Sequence, residues 1–266
     1  MIRPAIAAGI LISMPDWRDS GLILAVRPHG ETHAIASLLT RERGRHAGLV
    51  HGGMGRAAKG LLQPGNLVQA DWRARLEGQL GRWQLDLEKS PSALVLDDPL
   101  RLAAIGAACA LLDACLAERE PQENLYQSSA ALLDIIALSD TDSRESIRRP
   151  WLEWYLLWEL ELLAAVGFAI HKECCTLTGE TEGLAYISPR TGRAVHHQAA
   201  GDYADRLLPL PALFGGWKKL NNEHEAALGL TGHFLGRHIF SVVNQDLPQA
   251  RLRLAYLVAS RYKDTR

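Results

Sequence analysis

The stretch that decides the fold is Gly21-Leu-Ile-Leu-Ala-Val-Arg-Pro-His-Gly-Glu-Thr-His33, followed by Thr40-Arg-Glu-Arg-Gly-Arg-His46. Short apolar runs at 22–26, 34–39 and 46–50 read as strands, and Gly30, Gly44, Gly52-Gly53 and Pro64-Gly65 punctuate them. Further on, 67–76 alternates. Val68, Ala70, Trp72 and Ala74 face one way, and Gln69, Asp71, Arg73 and Arg75 the other. The segment 82–88 does the same, with Trp83, Leu85 and Leu87 set against Arg82, Gln84, Asp86 and Glu88. A period of two marks half-buried strands, which puts Arg73, Arg75 and Arg82 on the solvent face. Five strands in about 70 residues suit a small closed barrel of the OB type, and an SH3-like barrel fits the strand count nearly as well.

Beyond the barrel the period changes. Asp98-Pro99 is an N-cap followed by proline at the first helical position, and it opens an Ala/Leu-rich helix to about residue 117. Asn124 can cap a second helix, carrying Leu132, Leu133, Ile135 and Ile136. Pro150 opens a third over 151–166, with Gly167 just past its end. This helix holds Trp151, Trp154, Tyr155, Trp158 and a run of leucines on almost every face, so it is expected at the centre of a bundle. Residues 176–211 are rich in Gly, Pro and Thr and read as loops, and two helices at 223–243 and 248–261 close the chain.

The net charge of −1 hides an asymmetry. Residues 17–84 hold ten Lys/Arg and five Asp/Glu (+5), 85–170 hold six and fifteen (−9), and 171–266 hold twelve and nine (+3). Such a contrast points to a polyanionic partner for the barrel. Lys and Arg neutralise phosphate and release counterions without needing a fixed spacing. The candidates are Arg27, Arg41, Arg43, Arg45, His46, Arg56, Lys59, Arg73, Arg75 and Arg82. Trp72 and Trp83 point inward by the alternation, so contact is expected mainly with the backbone and to be tolerant of sequence.

Enzymatic signatures are missing. Gly52-Gly53-Met54-Gly55-Arg56 is not a P-loop, because Lys59 is followed by Gly60, and it reads as a flexible basic loop. His224-Glu225 lacks the second histidine of a zinc-protease helix, and no G-x-S-x-G occurs. His29, Glu31 and His33 on a turn read as surface or phosphate-proximal groups. A non-enzymatic protein without a cofactor is the expectation.

The four cysteines make no disulfide scaffold, and a reducing cytoplasm suits them. Cys174, Cys175, His196 and His197 would be a legitimate zinc set by type, but adjacent ligands diverge, so no metal is expected. Residues 1–13 carry Arg3 ahead of a short apolar run. That run is too short for a signal peptide and is expected to be a start-site extension. No apolar run reaches the ~18–20 residues of a membrane helix.

With these residues in place, the chain from about Asp16 onward resembles the RecO family of bacterial recombinational repair proteins. The resemblance rests on Asp19-Ser-Gly-Leu-Ile-Leu-Ala-Val-Arg27, His29-Gly-Glu-Thr32, Leu38-Leu-Thr-Arg-Glu-Arg-Gly-Arg45 and Leu62-Gln-Pro-Gly65. It continues through Trp158-Glu-Leu-Glu-Leu-Leu-Ala-Ala-Val-Gly-Phe168, Thr178-Gly179, Tyr186-Ile-Ser-Pro-Arg-Thr-Gly192 and Leu207-Leu-Pro-Leu-Pro211. Each motif is weak alone, but their order is specific.

The resemblance implies an α+β multidomain protein: an N-terminal OB-fold barrel, an α-helical domain and a C-terminal zinc-ribbon-like insertion. The implied divisions are an N-terminal extension (1–16), the OB-fold DNA-binding domain (17–90), a helical domain (91–170), a zinc-ribbon-like loop region (171–212) and C-terminal helices that complete the helical domain (213–266). It also implies binding of single- and double-stranded DNA and annealing of complementary strands. With RecR it would replace the single-stranded-DNA-binding protein (SSB) by RecA in the RecF pathway and contact the acidic tail of SSB. A cytoplasmic, nucleoid-associated protein with no membrane partner follows. One departure matters: zinc-binding members carry two C-x-x-C pairs. Here the first would be Cys175 and Thr178, and the second would fall at 194–197, where no cysteine stands. The insertion is therefore expected to lack zinc. Lys218, Lys219, Arg251 and Arg253 are the candidate dock for the acidic tail. Two alternative readings are a cytoplasmic RNA- or ribosome-binding OB protein and a metal-dependent hydrolase using Cys175 and the histidines.

Overall fold

The computed structural model describes residues 16–76, 79–138 and 150–263, so the expected extension at 1–13 lies outside the described residues. The first strands are β1 (Asp16–His29), β2 (His33–Thr40) and β3 (Gly44–Val50). A one-turn helix α1 (Ala58–Leu61) leads to β4 (Leu67–Arg73) and β5 (Gly81–Lys89). These strands close into a barrel in the order β1-β2-β3-β5-β4.

β1 has 14 residues because it serves two neighbours. Asp16 to Leu22 pair with β4, Gly21 to His29 pair with β2, and the register shifts between Ile23 and Ala25. A bulge there lets one strand turn from one partner to the other. Closure comes from the parallel contact of β3 with β5 at Gly48↔Gly81 and Leu49↔Arg82. Both closing positions are glycine for a steric reason: a side chain on Gly48 would meet the Trp83 ring, and one on Gly81 the Trp72 ring. The indoles fill the interior with Ile23, Ala34, Leu38, Val68 and Ala70. Each indole N–H finds a backbone acceptor, Trp83 on Ala36 at 3.1 Å and Trp72 on Ala47 at 3.4 Å. One expected inward residue is not inward. Leu87 keeps its place opposite Val68 but is half exposed, at the end of the regular pairing just before the register shift at Leu67.

The helices are α2 (Pro91–Leu94), α3 (Pro99–Cys115), α4 (Glu123–Leu138) and α5 (Trp151–Ala165). The Asp98 carboxylate accepts from the N–H groups of Leu100 (3.0 Å) and Arg101 (3.1 Å), which is the expected cap. Gly167, at φ +90°, ends α5 with paired backbone bonds from Gly167 to Ala164 and from Phe168 to Leu163. Residues 176–211 are more ordered than a loop reading allows. They hold a three-stranded sheet with β6 (Leu184–Ile187) between β7 (Ala194–His196) and β8 (Leu208–Pro209). The helix expected at 223–243 is α6 (Glu223–Leu235), whose end loosens into a π turn over Gly236–Phe240 and a 3₁₀ turn over Ser241–Val243. The last helix, α7 (Gln249–Lys263), returns to pack along α3.

A second core, beside the barrel interior, joins the barrel to the helices. Leu22, Leu24, Leu39 and Leu67 leave the barrel interior to others and join Ile105, Leu111 and Leu112 of α3. At the centre of the helices, Glu159 of α5 and Arg251 of α7 form a buried ion pair. The Glu159 carboxylate also accepts from the Tyr155 hydroxyl (2.7 Å) and the Thr231 hydroxyl (2.5 Å), and Arg251 donates to the Leu228 carbonyl (2.9 Å). The pair, its attendant hydroxyls and the carbonyl satisfy one another away from water, as a buried charge requires. Among the described residues no helix is long and apolar enough to cross a membrane.

Candidate nucleic-acid interface

Strand pairing brings the basic side chains together. Arg73 on β4 lies directly opposite Arg82 on β5, and Arg75 follows just past the end of β4. All three are exposed. Asp16 at the start of β1 pairs with Arg73 and places a carboxylate oxygen 3.1 Å from its Nε. One residue inward, Trp17 stacks on Trp72 with ring centroids 5.4 Å apart, and the Arg43 guanidinium stands 5.9 Å over the Trp17 ring. Arg43, Arg73, Arg75 and Arg82 therefore form an exposed cationic rim around the barrel mouth that the tryptophans fill.

Arg56 and Lys59 form a second exposed group on the β3–β4 connection. That connection is tied to the β1–β2 turn by Met54 N–H on the Thr32 carbonyl (3.1 Å) and Gly52 N–H on His33 Nδ1 (3.2 Å). The His33 and His51 rings meet edge to face at 4.9 Å beside it.

Other candidates face the helices instead. Arg45, expected on the DNA-binding surface, turns inward. Its Nε donates to the Leu116 carbonyl (2.8 Å), and its guanidinium pairs with Asp113 (3.3 Å) and Glu118 (3.7 Å), leaving the side chain 19% exposed. His46, also expected on that surface, is buried in the barrel mouth against Trp17 and Trp72. Burial holds its imidazole below the usual range, the nearby Arg119 and Arg43 cations push the same way, and the Gly44 carbonyl opposes them. Arg41 bonds Glu123 at 3.0 Å with both groups half exposed. Arg27 reaches Asp113 at 3.4 Å but stays 78% exposed, so it can turn to a ligand. The turn between β2 and β3 thus serves as a joint. Gly44, at φ +72°, lies so close to the α3–α4 link that a side chain there would strike the Glu120 carbonyl.

Of the four candidates for an acidic dock, Lys218, Lys219 and Arg253 are exposed. Arg251 is not available to any partner, because it is buried on Glu159. Arg251 and Arg253 lie two residues apart on α7, so they face opposite sides of the helix.

The residues over 171–212, where the resemblance implies a zinc-ribbon-like insertion, do not fit a zinc ion. Burial pushes the Cys175 thiol up, but hydrogen bonds from the Thr178 hydroxyl and from the backbone N–H groups of His196 (3.2 Å) and Leu177 (3.4 Å) outweigh it and leave the pKa at about 7. Thr178 stands where the resemblance would put a second sulfur. His197 stacks flat on Trp217 at 4.3 Å, and His196 Nε2 lies 3.6 Å from Glu180. Among the described residues, no three His, Cys, Asp or Glu side chains are grouped so as to hold a metal.

Two contributors escaped the sequence reading. Trp17 supports the rim from within the mouth, and Arg119, from the acidic segment, sits beside the barrel with its Nη2 3.3 Å from the Gln79 carbonyl oxygen. Residues 14–87 match the family described as "Recombination protein O N terminal", and residues 96–244 match "Recombination protein O C terminal". The chain is 47% identical over 241 residues to "DNA repair protein RecO" of Rhodospirillum centenum, covering 90% of this chain and 92% of that protein. It is 43% identical over 243 residues to the protein of the same name from Rhodospirillum rubrum, covering 90% and 95%. It is 44% identical over 249 residues to that of Paracoccus denitrificans, covering 93% and 98%.

Proposed function

The chain belongs to the RecO family of DNA repair and recombination proteins, and from that premise we propose that it is a non-enzymatic DNA-binding mediator that anneals complementary strands. The observation that carries this reading is the cross-strand pair Arg73↔Arg82 on the barrel surface, with Arg43 and Arg75 beside it. Like charges directly opposite each other cost stability, and a phosphate backbone offsets that cost. The large aromatics of the mouth are turned inward, so the rim holds sugar-phosphate and leaves base edges free to pair. Neutralised phosphates let two strands approach that otherwise repel.

In this reading the barrel is an OB-fold, residues 171–212 are the counterpart of a zinc ribbon without its metal, and both single- and double-stranded DNA bind. With RecR, the protein exchanges SSB for RecA on single strands, in the cytoplasm at the nucleoid. The acidic SSB tail finds Lys218, Lys219 and Arg253. The test is annealing of two complementary oligonucleotides, one labelled, without ATP and across a salt series. Acceleration that fades with salt supports the proposal. No acceleration, or a preference for structured RNA over single-stranded DNA, favours an RNA-binding role instead.

A further inference from the structure

The α3–α4 link carries Glu118-Arg119-Glu120 and belongs by sequence to the acidic segment. The structure places it against the barrel. The Arg119 N–H donates to the Arg45 carbonyl at 2.8 Å, Glu118 forms an isolated bridge with Arg45, and Gly44 leaves room for the Glu120 carbonyl. Arg119 itself is held at φ +63°. Among the described residues, the other non-glycine with positive φ is Asn244, a residue type that tolerates this region. Arginine does not, and strain of this kind persists where the surroundings enforce it, often at functional positions. The link could satisfy its backbone bond with glycine, yet an exposed guanidinium stands there and reaches toward the β4–β5 turn at Gln79.

We propose that Arg119 is a phosphate-binding residue, contributed by the helical body, that completes the cationic rim formed by Arg43, Arg73, Arg75 and Arg82. This rests on the DNA-binding reading above. The neighbouring charges are compatible with it. Glu118 is engaged by Arg45 at 3.7 Å, while the exposed Glu120 carboxylate is the neighbouring charge that a phosphate must pass, and the guanidinium points away from it toward Gln79. The ligand is a sugar-phosphate strand that runs past the barrel mouth and crosses from β4–β5 onto the α3–α4 link. The acidic segment thereby guides the strand and does not merely repel it.

The test uses Arg119→Gly, Arg119→Lys and the double variant Arg73→Glu/Arg75→Glu in the full chain, with a labelled single-stranded oligonucleotide across a salt series. Glycine removes the charge and relieves the strain, so the melting temperature should hold or rise while affinity falls roughly five- to tenfold near 0.1 M salt and the salt slope loses about one unit. Lysine should recover most of the slope. If the wild type binds, the Arg73/Arg75 variant weakens binding, and Arg119→Gly matches the wild type, the role of Arg119 is overturned while the DNA reading stands. Loss of binding in Arg119→Gly that Arg119→Lys fails to restore overturns it equally. If the wild type shows no salt-dependent binding, the DNA reading falls, and this inference falls with it.

Discussion

Arg73 and Arg82 occupy directly paired positions on β4 and β5, with one carboxylate, Asp16, reaching Arg73 from the strand on its other side. Two guanidinium groups across a strand pair repel, and a protein selected for stability alone has no use for them. Replacing Arg82 by glutamine should therefore leave the melting temperature unchanged or raise stability by a few tenths of a kcal/mol. The same change should weaken DNA binding. Thermal unfolding and oligonucleotide binding on one preparation check both halves.

The buried pair of Glu159 and Arg251 makes a contrasting prediction. Arg251→Met removes one charge and leaves the Glu159 carboxylate buried without its cation. Breaking a buried pair in this way costs about 3–5 kcal/mol. Urea unfolding should show that loss, whereas Arg253→Ala on the exposed side of α7 should be nearly neutral. Equal effects would mean that α7 is not anchored through Arg251.

Asp113 couples the barrel to α3, accepting from the Ser37 hydroxyl at 2.6 Å and from Arg45 at 3.3 Å. Asp113→Asn should cost ~1–3 kcal/mol in urea unfolding, because charge-assisted bonds at a partly buried site are lost. DNA affinity should hold or rise, since Arg27 is released from its 3.4 Å contact. A fall in affinity without loss of stability would contradict this division of labour among the arginines.

Cys175 gives a pH dependence with a defined sign. Its thiol drops from 9.0 to about 7 on folding, because the hydrogen bonds that favour thiolate outweigh burial. A depressed folded pKa adds stability that is present above pH 9 and lost as pH falls through 7. Two units correspond to at most ~3 kcal/mol. Wild-type stability minus that of Cys175→Ser should grow between pH 7 and 9, and a flat difference would contradict the hydrogen-bond account.

How much of this was legible in the sequence follows from where each side chain looks. β4 and the start of β5 announce themselves because one face is wet and the other packs the barrel, so Trp72 and Trp83 alternate with arginines. β1 hides most of its length. Leu22, Ile23 and Leu24 are all buried, since the middle of the strand is covered on both sides, and period two is lost there. β6, β7 and β8 have two to four residues each, too few to display any period.

Segment charge pointed to the barrel, but it could not separate Arg43 on the β2–β3 turn from Arg45 at the start of β3. The acceptors that draw Arg45 inward, Asp113, Leu116 and Glu118, are distant in sequence. Arg119 was hidden by its own acidic neighbours. Arg251 did leave a trace. It shares an i, i+3, i+7 stripe with Leu254 and Val258, both buried, which is the position of a core residue.

The central claim is that the rim around the barrel mouth holds nucleic acid by its phosphates. The most direct measurement is equilibrium binding of a single-stranded oligonucleotide by the wild type and by Arg73→Glu/Arg75→Glu across a salt series. The account predicts a log–log salt dependence in the wild type and, in the variant, weaker binding with a flatter slope by about one to two units. Equal affinity and equal slope in both proteins would contradict it.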